Sequence, residues 1–130
     1  MKYSVLLRKI IDVWNGDGND KHITLETTAL LPMLPFEGLK LIGIVPFTCE
    51  LVAVDLLSQI IICQQIGSAH EDDLDTWVAS DLSNWLQGGW KVIDGHRHIH
   101  DALGKLEWPQ AKALMDQIGW PAKEGGDAVA

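Results

Sequence analysis

The stretch LKLIGIVPFTCELVAVDLLSQIIICQQ, residues 39–65, is the most apolar run of the sequence. Within it only Lys40, Glu50 and Asp55 are charged. A chain of 130 residues needs one dense core, and no other segment is apolar enough to lie at its centre. A membrane-spanning helix is not expected here, because two acidic residues lie near the middle and Pro46 would kink a helix. The stretch therefore predicts where the core lies and indicates no chemistry.

Two secondary structures compete within this stretch. Residues 39–45 are short, branched and nearly uncharged, which is typical of a strand buried on both faces. Thr48 can cap a helix whose first turn contains Glu50, and this favours a helix over residues 48–65. The many β-branched residues of the same segment favour the alternative, two strands joined near residues 57–58.

Toward the N-terminus, apolar residues between positions 4 and 14 recur at three- and four-residue spacing, which predicts a helix. Charged residues interrupt this run and no small-residue cleavage site follows, so a secretory signal is not expected. Residues 22–31 alternate apolar and polar side chains, which favours a strand, with a short helix capped by Thr24 as the alternative.

Toward the C-terminus, the clearest prediction is a helix over residues 69–87. Ser68 and Glu71 match a capping box at its start, and its apolar face includes Trp77 and Trp85.

Two further elements follow this helix. Residues 90–100 predict a hairpin, because Asp94-Gly95 is a preferred two-residue turn. A last helix is predicted over residues 109–118, where proline stands in the first turn and glycine follows the last.

Together these elements predict an α+β fold, a single compact domain over residues 1–122 with a flexible tail over residues 123–130. Its small mixed or antiparallel sheet would consist of residues 22–31, 39–45 and 90–100, packed by three to four helices. A mostly α-helical fold with one β-hairpin is the alternative.

The net charge of −8 is concentrated in one part of the chain. Residues 41–90 contain seven Asp and Glu residues and no Lys or Arg. Such a surface repels nucleic acid and anionic lipid and attracts basic proteins, so binding to nucleic acid or membrane is not expected. Carboxylates in the first turn of a helix also stabilise its dipole, which accounts for one or two of them. The remainder predict a partner-binding face formed by Glu71, Asp72, Asp73, Asp75 and Asp81.

Three alternating histidines, His96, His98 and His100, would lie on one face of the predicted hairpin. Neutral imidazole is a good ligand for zinc and other divalent transition metals. In a helix, His96 and His100 would still lie one turn apart. An exposed polar face is the simpler interpretation, and a metal-binding protein or metal-dependent hydrolase is the alternative.

Other chemistry finds little support in the sequence. Cys49 and Cys63 lie in apolar sequence without CxxC spacing or a neighbouring histidine, so we interpret them as reduced core residues. No nucleophile elbow or phosphate-binding glycine loop is present, and no catalytic residue is assigned.

The function that the sequence favours is a small cytoplasmic binding or regulatory protein, similar in size and charge to inhibitors and immunity proteins. It would engage a basic partner protein through its acidic face. A homodimer formed through residues 39–65 is a further hypothesis, because this run is apolar beyond the needs of a small core.

Overall fold

A computed structural model describes residues 2–14 and 21–118, with the backbone alone for Lys21, Glu71 and Asp72. Over these residues the chain forms seven strands and four α-helices. The strands are β1 (Tyr3–Trp14), β2 (Lys21–Leu31), β3 (Lys40–Leu41), β4 (Phe47–Thr48), β5 (Leu51–Asp55), β6 (Ile60–His70) and β7 (Lys91–Asp94). The helices are α1 (Glu71–Ser80), α2 (Leu82–Gln87), α3 (His96–Leu103) and α4 (Trp108–Ile118).

Five of the strands form one mixed sheet in the order β5-β6-β1-β2-β7. The central strand β1 pairs in parallel with β6 and antiparallel with β2. The two outer pairs, β5 with β6 and β2 with β7, are antiparallel. Strands β3 and β4 form a separate two-stranded antiparallel ribbon.

The hydrophobic core lies on one face of this sheet. Every fully buried residue of β1 and β2 has an odd number, so a single face of these strands carries the core. The core combines these strand residues with buried residues of all four helices, among them Val78, Trp85, Ile99 and Leu114. Aromatic packing reinforces it, since the ring centroids of Trp85 and Trp90 lie 4.8 Å apart in an edge-to-face arrangement.

The predicted fold class is wrong in its proportions and in its elements. Strands account for 43% and helices for 31% of the structure, so the sheet is the main component and not a small addition to a helical layer. The three segments expected to build the sheet contribute unequally. Residues 22–31 form β2 as predicted, whereas strand structure covers only residues 40–41 of the segment 39–45. Ile42, expected in a doubly buried strand, is 93% exposed.

The helix that the sequence predicts over residues 4–14 is instead the central strand β1. Its apolar doublets Leu6-Leu7 and Ile10-Ile11 place one side chain on each face of the sheet, which imitates helical spacing. Pairing with a strand on each side along nearly its whole length stabilises the extended form. Tertiary pairing therefore overrides the local pattern.

The helix favoured over residues 48–65 is also wrong, and the alternative of two strands is confirmed. Strands β5 and β6 are joined by a turn over residues 56–59. The Asp55 carboxylate accepts hydrogen bonds from the backbone N–H groups of Leu57 and Ser58, at 3.0 and 3.4 Å, and so stabilises that turn. The β-branched composition outweighed the capping signal because these residues pair within a sheet.

The helix predicted over residues 69–87 is present in part. The capping box does not form, because Ser68 lies within strand β6, and the helical segment divides at Asp81 into α1 and α2. The hairpin predicted over residues 90–100 is wrong after its first strand, since Gly95 leads into helix α3. The last helix, predicted over residues 109–118, is confirmed. The predicted tail, residues 123–130, lies outside the described residues.

Candidate functional site

Lys9 interrupts the core-facing row of the central strand. On β1 the odd-numbered residues Val5, Leu7, Ile11 and Val13 are all at most 6% exposed. Lys9 occupies the middle of this row, so the alternation of the strand directs its side chain toward the helices. A lysine in this position is unusual, because removing an ammonium group from water costs free energy.

The neighbouring strand and helix make space for this lysine. A Cβ atom added to Gly67 of β6 would lie 3.1 Å from the Lys9 Nζ atom, so any larger residue would crowd the ammonium group. The Lys9 Nζ atom also lies 6.0 Å from the ring centroid of Trp85 in α2, within reach of a weak cation–π attraction.

A cavity of about 360 Å³ opens around Lys9, between the sheet and helix α1. We call it the Lys9 cavity. Its apolar lining includes Ile11, Leu74 and Trp77. Its polar lining consists of Lys9, Ser68, Asp73, Thr76 and Asp81. A mostly apolar concave site with a few convergent polar groups is the usual form of a binding site in proteins.

The charge of Lys9 is only partly compensated. Burial lowers the pKa of the Lys9 ammonium, and the nearby Glu50 carboxylate opposes this effect. Among the described residues, no carboxylate oxygen lies within 4 Å of the Lys9 Nζ atom. Glu50 itself accepts a hydrogen bond from the backbone N–H of Ile66 at 3.2 Å. The cavity therefore contains a positive charge without a contacting counter-ion from the described chain.

The predicted acidic face is divided by the structure. Asp73 and Asp81 both line the Lys9 cavity and are exposed. Asp75 instead forms an ion pair with Lys105, whose Nζ atom lies 2.6 Å from the Asp75 carboxylate. Glu71 and Asp72 lie in the first turn of α1. The structure thus brings two of the five predicted residues to one concave surface and supplies a third with a counter-charge.

The three predicted metal ligands lie on helix α3, not on a strand. The expectation that His96, His98 and His100 share one face is therefore wrong, since alternate residues of a helix point in different directions. Only His96 and His100 are one turn apart. Within residues 2–14 and 21–118, no group of three or more His, Cys, Asp or Glu side chains is arranged to hold a metal ion. Binding of zinc or another divalent metal stays a prediction.

The structure reveals a relation between histidines that the sequence does not show. His22 is the second residue of β2 and contacts Asp12, with 2.6 Å between the His22 Nδ1 atom and the Asp12 carboxylate oxygen. His70 ends β6 and makes an edge-to-face contact with Trp14 at 4.8 Å. His96 follows Gly95, which lies against the His22 carbonyl. Histidines from three elements therefore lie toward the end of the sheet where β1 ends.

The two cysteines are free and buried, which agrees with their interpretation as core residues. Burial, together with a hydrogen bond to Cys49, raises the pKa of the Cys63 thiol to about 12. A thiol in this environment is a poor nucleophile, because the reactive form is the thiolate.

The sequence interpretation missed Lys9 because it assigned this segment to a helix. As a helical residue, Lys9 belongs with Arg8 to an ordinary charged surface. Once residues 3–14 are known to be a strand, Lys9 stands out as the single charged member of an apolar alternating row. The charged residue within an apolar row was visible in the sequence. It could be recognised as unusual only once the segment was known to be a strand.

Comparison with protein-family models, with curated proteins and with solved structures finds no match for this chain. No helix within residues 2–14 and 21–118 has the length and apolar character that a membrane span requires. The candidate site is therefore interpreted from its own geometry and charge.

Proposed function

We propose that this protein is a binding protein that receives a basic side chain of a partner protein in the Lys9 cavity. The observation that carries the proposal is the position of Asp73, near the start of helix α1, and Asp81, at the junction of α1 and α2, because both line one concave surface. Two carboxylates on one cavity attract a lysine or arginine side chain more strongly than either would alone.

The size and lining of the cavity also suit such a side chain. A volume of about 360 Å³ accommodates one long side chain and excludes a whole secondary-structure element. Lysine and arginine carry a long apolar stem beneath the charged group. Leu74 and Trp77 in the lining can cover that stem, while an aspartate of the lining contacts the charged end.

The charge distribution supports a basic partner beyond the cavity itself. Residues 41–90, which include helix α1, contain no Lys or Arg. This segment therefore does not supply lysine or arginine side chains to neutralise its own carboxylates. An acidic surface increases the encounter rate with a basic protein and makes association sensitive to salt.

The proposal can be tested by titrating the protein with a short arginine- and lysine-rich peptide and following the backbone amide signals by NMR. We expect shifts around residues 67–81, and affinity that falls as salt is raised. An Asp73→Asn/Asp81→Asn variant should bind about tenfold more weakly or worse, because each aspartate can make a charge-assisted hydrogen bond.

Asp101→Asn is the matched control, because Asp101 is exposed on helix α3 and does not line the cavity. It removes one negative charge from the surface without changing the proposed site. If the control weakens binding as much per removed charge as the double variant does, only the overall charge matters. Binding that is indifferent to both salt and the double substitution would refute the proposal.

A further inference from the structure

We infer that the group entering the Lys9 cavity carries a carboxylate as well as a positive charge, as does a lysine or arginine at the carboxyl terminus of a chain. Free lysine and free arginine share this chemistry. The inference rests on the proposed function, because it assumes that Asp73 and Asp81 receive the cationic end. It adds a role for Lys9 as the residue that binds the anionic end.

The first argument concerns the walls of the cavity. Lys9 projects from the sheet, whereas Asp73 and Asp81 belong to the helical layer. Neither aspartate is within 4 Å of the Lys9 Nζ atom. Opposite charges therefore line the same cavity without neutralising each other by direct contact.

The second argument concerns what each kind of ligand would leave unpaired. A ligand with only a positive charge would satisfy the aspartates and further bury Lys9 without a partner, which costs free energy. A simple anion such as phosphate would pair with Lys9 and be repelled by two carboxylates. A ligand with both charges can pair its anionic end with Lys9 and its cationic end with an aspartate of the cavity.

The third argument concerns the aliphatic chain that joins the two charges of the ligand. In lysine and arginine the carboxylate and the side-chain cation are separated by an aliphatic chain. In the cavity, Ile11, Leu74 and Trp77 supply the apolar lining beside the charged residues. Ser68 and Thr76 add hydroxyl groups that can donate hydrogen bonds to a carboxylate.

Gly67 gives the arrangement a specific requirement. Because an added Cβ atom would lie 3.1 Å from the Lys9 Nζ atom, Gly67 keeps open the space in which the ammonium group meets a ligand. A methyl group there would shift the end of a flexible side chain and leave the strand backbone in place. The Gly67→Ala variant therefore perturbs the Lys9 side of the proposed site, where the ligand carboxylate would bind, by steric means alone.

The inference can be tested by measuring the affinity of N-acetylarginine, N-acetylargininamide and free arginine by NMR titration. N-acetylarginine imitates a chain terminus, and the amide lacks the carboxylate. We expect the wild-type protein to bind N-acetylarginine about tenfold more tightly than the amide. Free arginine binding more tightly than N-acetylarginine would assign the site to the free amino acid, and the reverse would assign it to a chain terminus.

Variants separate the two halves of the site. Lys9→Met should reduce the affinity for N-acetylarginine to that for the amide, and Gly67→Ala should reduce the difference in part. Asp73→Asn/Asp81→Asn should weaken both compounds. Lys40→Met is the control, because Lys40 is exposed and lies outside the cavity, and it should change neither affinity.

The outcomes distinguish this inference from the proposed function. Equal wild-type affinity for N-acetylarginine and its amide, with both lost in the double aspartate variant, would overturn the inference and support the proposed function. Failure of both compounds to bind the wild-type protein would also overturn the inference, and the peptide titration would then decide the proposed function separately. If Lys9→Met does not fold, Gly67→Ala provides the test.

Discussion

At the scale of the residue, Lys9 combines a cost to the fold with a role in the proposed site. Its ammonium group lies in a row of buried apolar side chains, and burial lowers its pKa below the ordinary value of 10.5. Retaining a desolvated charge destabilises a protein unless a partner compensates it. The Trp85 ring and the Glu50 carboxylate compensate this charge only in part. The ring centroid lies 6.0 Å from the Lys9 Nζ atom, and the Glu50 carboxylate does not form a direct ion pair with it.

We expect Lys9→Met to raise the free energy of unfolding at neutral pH by about 1 kcal/mol, because methionine fills similar space without a charge. The pH dependence should also change. The folded pKa of Lys9 lies below the unfolded one, so the unfolded chain binds more protons between these two values. Wild-type stability therefore rises with pH in that window, and below the folded pKa the full penalty is present.

Urea unfolding of both proteins from neutral pH to pH 10.5 would measure this difference. The advantage of Lys9→Met should shrink as the pH rises through the folded pKa. Parallel stability curves over the whole range would contradict the prediction. A loss of stability in the variant at neutral pH would show that the ammonium is well compensated.

At the scale of the element, Gly95 decides how strand β7 passes into helix α3. Its φ angle is +90°, and a Cβ atom there would lie 2.5 Å from the His22 carbonyl oxygen and 2.8 Å from the Ile23 Cα atom. The end of β7 therefore approaches the backbone of β2 more closely than any side chain permits. This close approach positions α3 against the sheet and replaces the expected hairpin return.

Gly95→Ala should unfold the protein or greatly reduce its stability, and Gly38→Ala is a matched control. Gly38 has a similar φ of +95°, but a Cβ atom there would meet nothing within 4 Å. Both substitutions carry the penalty of a positive φ, about 1 kcal/mol. The clash with β2 should cost Gly95→Ala about 2 kcal/mol more. If thermal or urea unfolding shows that Gly95→Ala and Gly38→Ala lose the same amount of stability, the proposed close packing of Gly95 against β2 is refuted.

At the scale of the whole molecule, one region leaves many apolar side chains exposed. Among the residues that the structure describes, fifteen large hydrophobic side chains are exposed and eleven of them lie within residues 30–60, including Ile42 at 93% and Leu57 at 98% exposure. Strand β5 is an edge of the sheet, and its turn carries Leu56 and Leu57. An apolar edge without lysine or proline is prone to pair with another strand.

The homodimer predicted from residues 39–65 would use this edge, with β5 pairing antiparallel to β5 of a second copy. We expect Leu56→Ser/Leu57→Ser to shift the sedimentation-velocity profile toward monomer at a fixed protein concentration. Ile93→Ser is the control, because Ile93 is 51% exposed on β7, the opposite edge of the sheet. A wild-type protein that sediments as a monomer at every concentration would refute the dimer.

The sequence predicted those parts of the fold whose pattern is local. Strand β2 has clean alternation and α4 has a proline start, and both are confirmed. Strand β1 was misassigned because its apolar doublets fit the repeat of a helix as well as that of a strand. Only its pairing with β2 and β6 selects the strand. The candidate site was predicted in part, since Asp73 and Asp81 were named but Lys9 and Gly67 were not.

Composition and spacing by themselves determined the acidic character of residues 41–90, the buried thiols, strand β2 and the last helix. These properties depend on residue identity or on contacts within a short segment. The tertiary structure alone decided that residues 3–14 are the central strand and that Lys9 faces the helices beside Asp73 and Asp81. The physical reason is that strand pairing and the meeting of distant side chains depend on residues far apart in the chain.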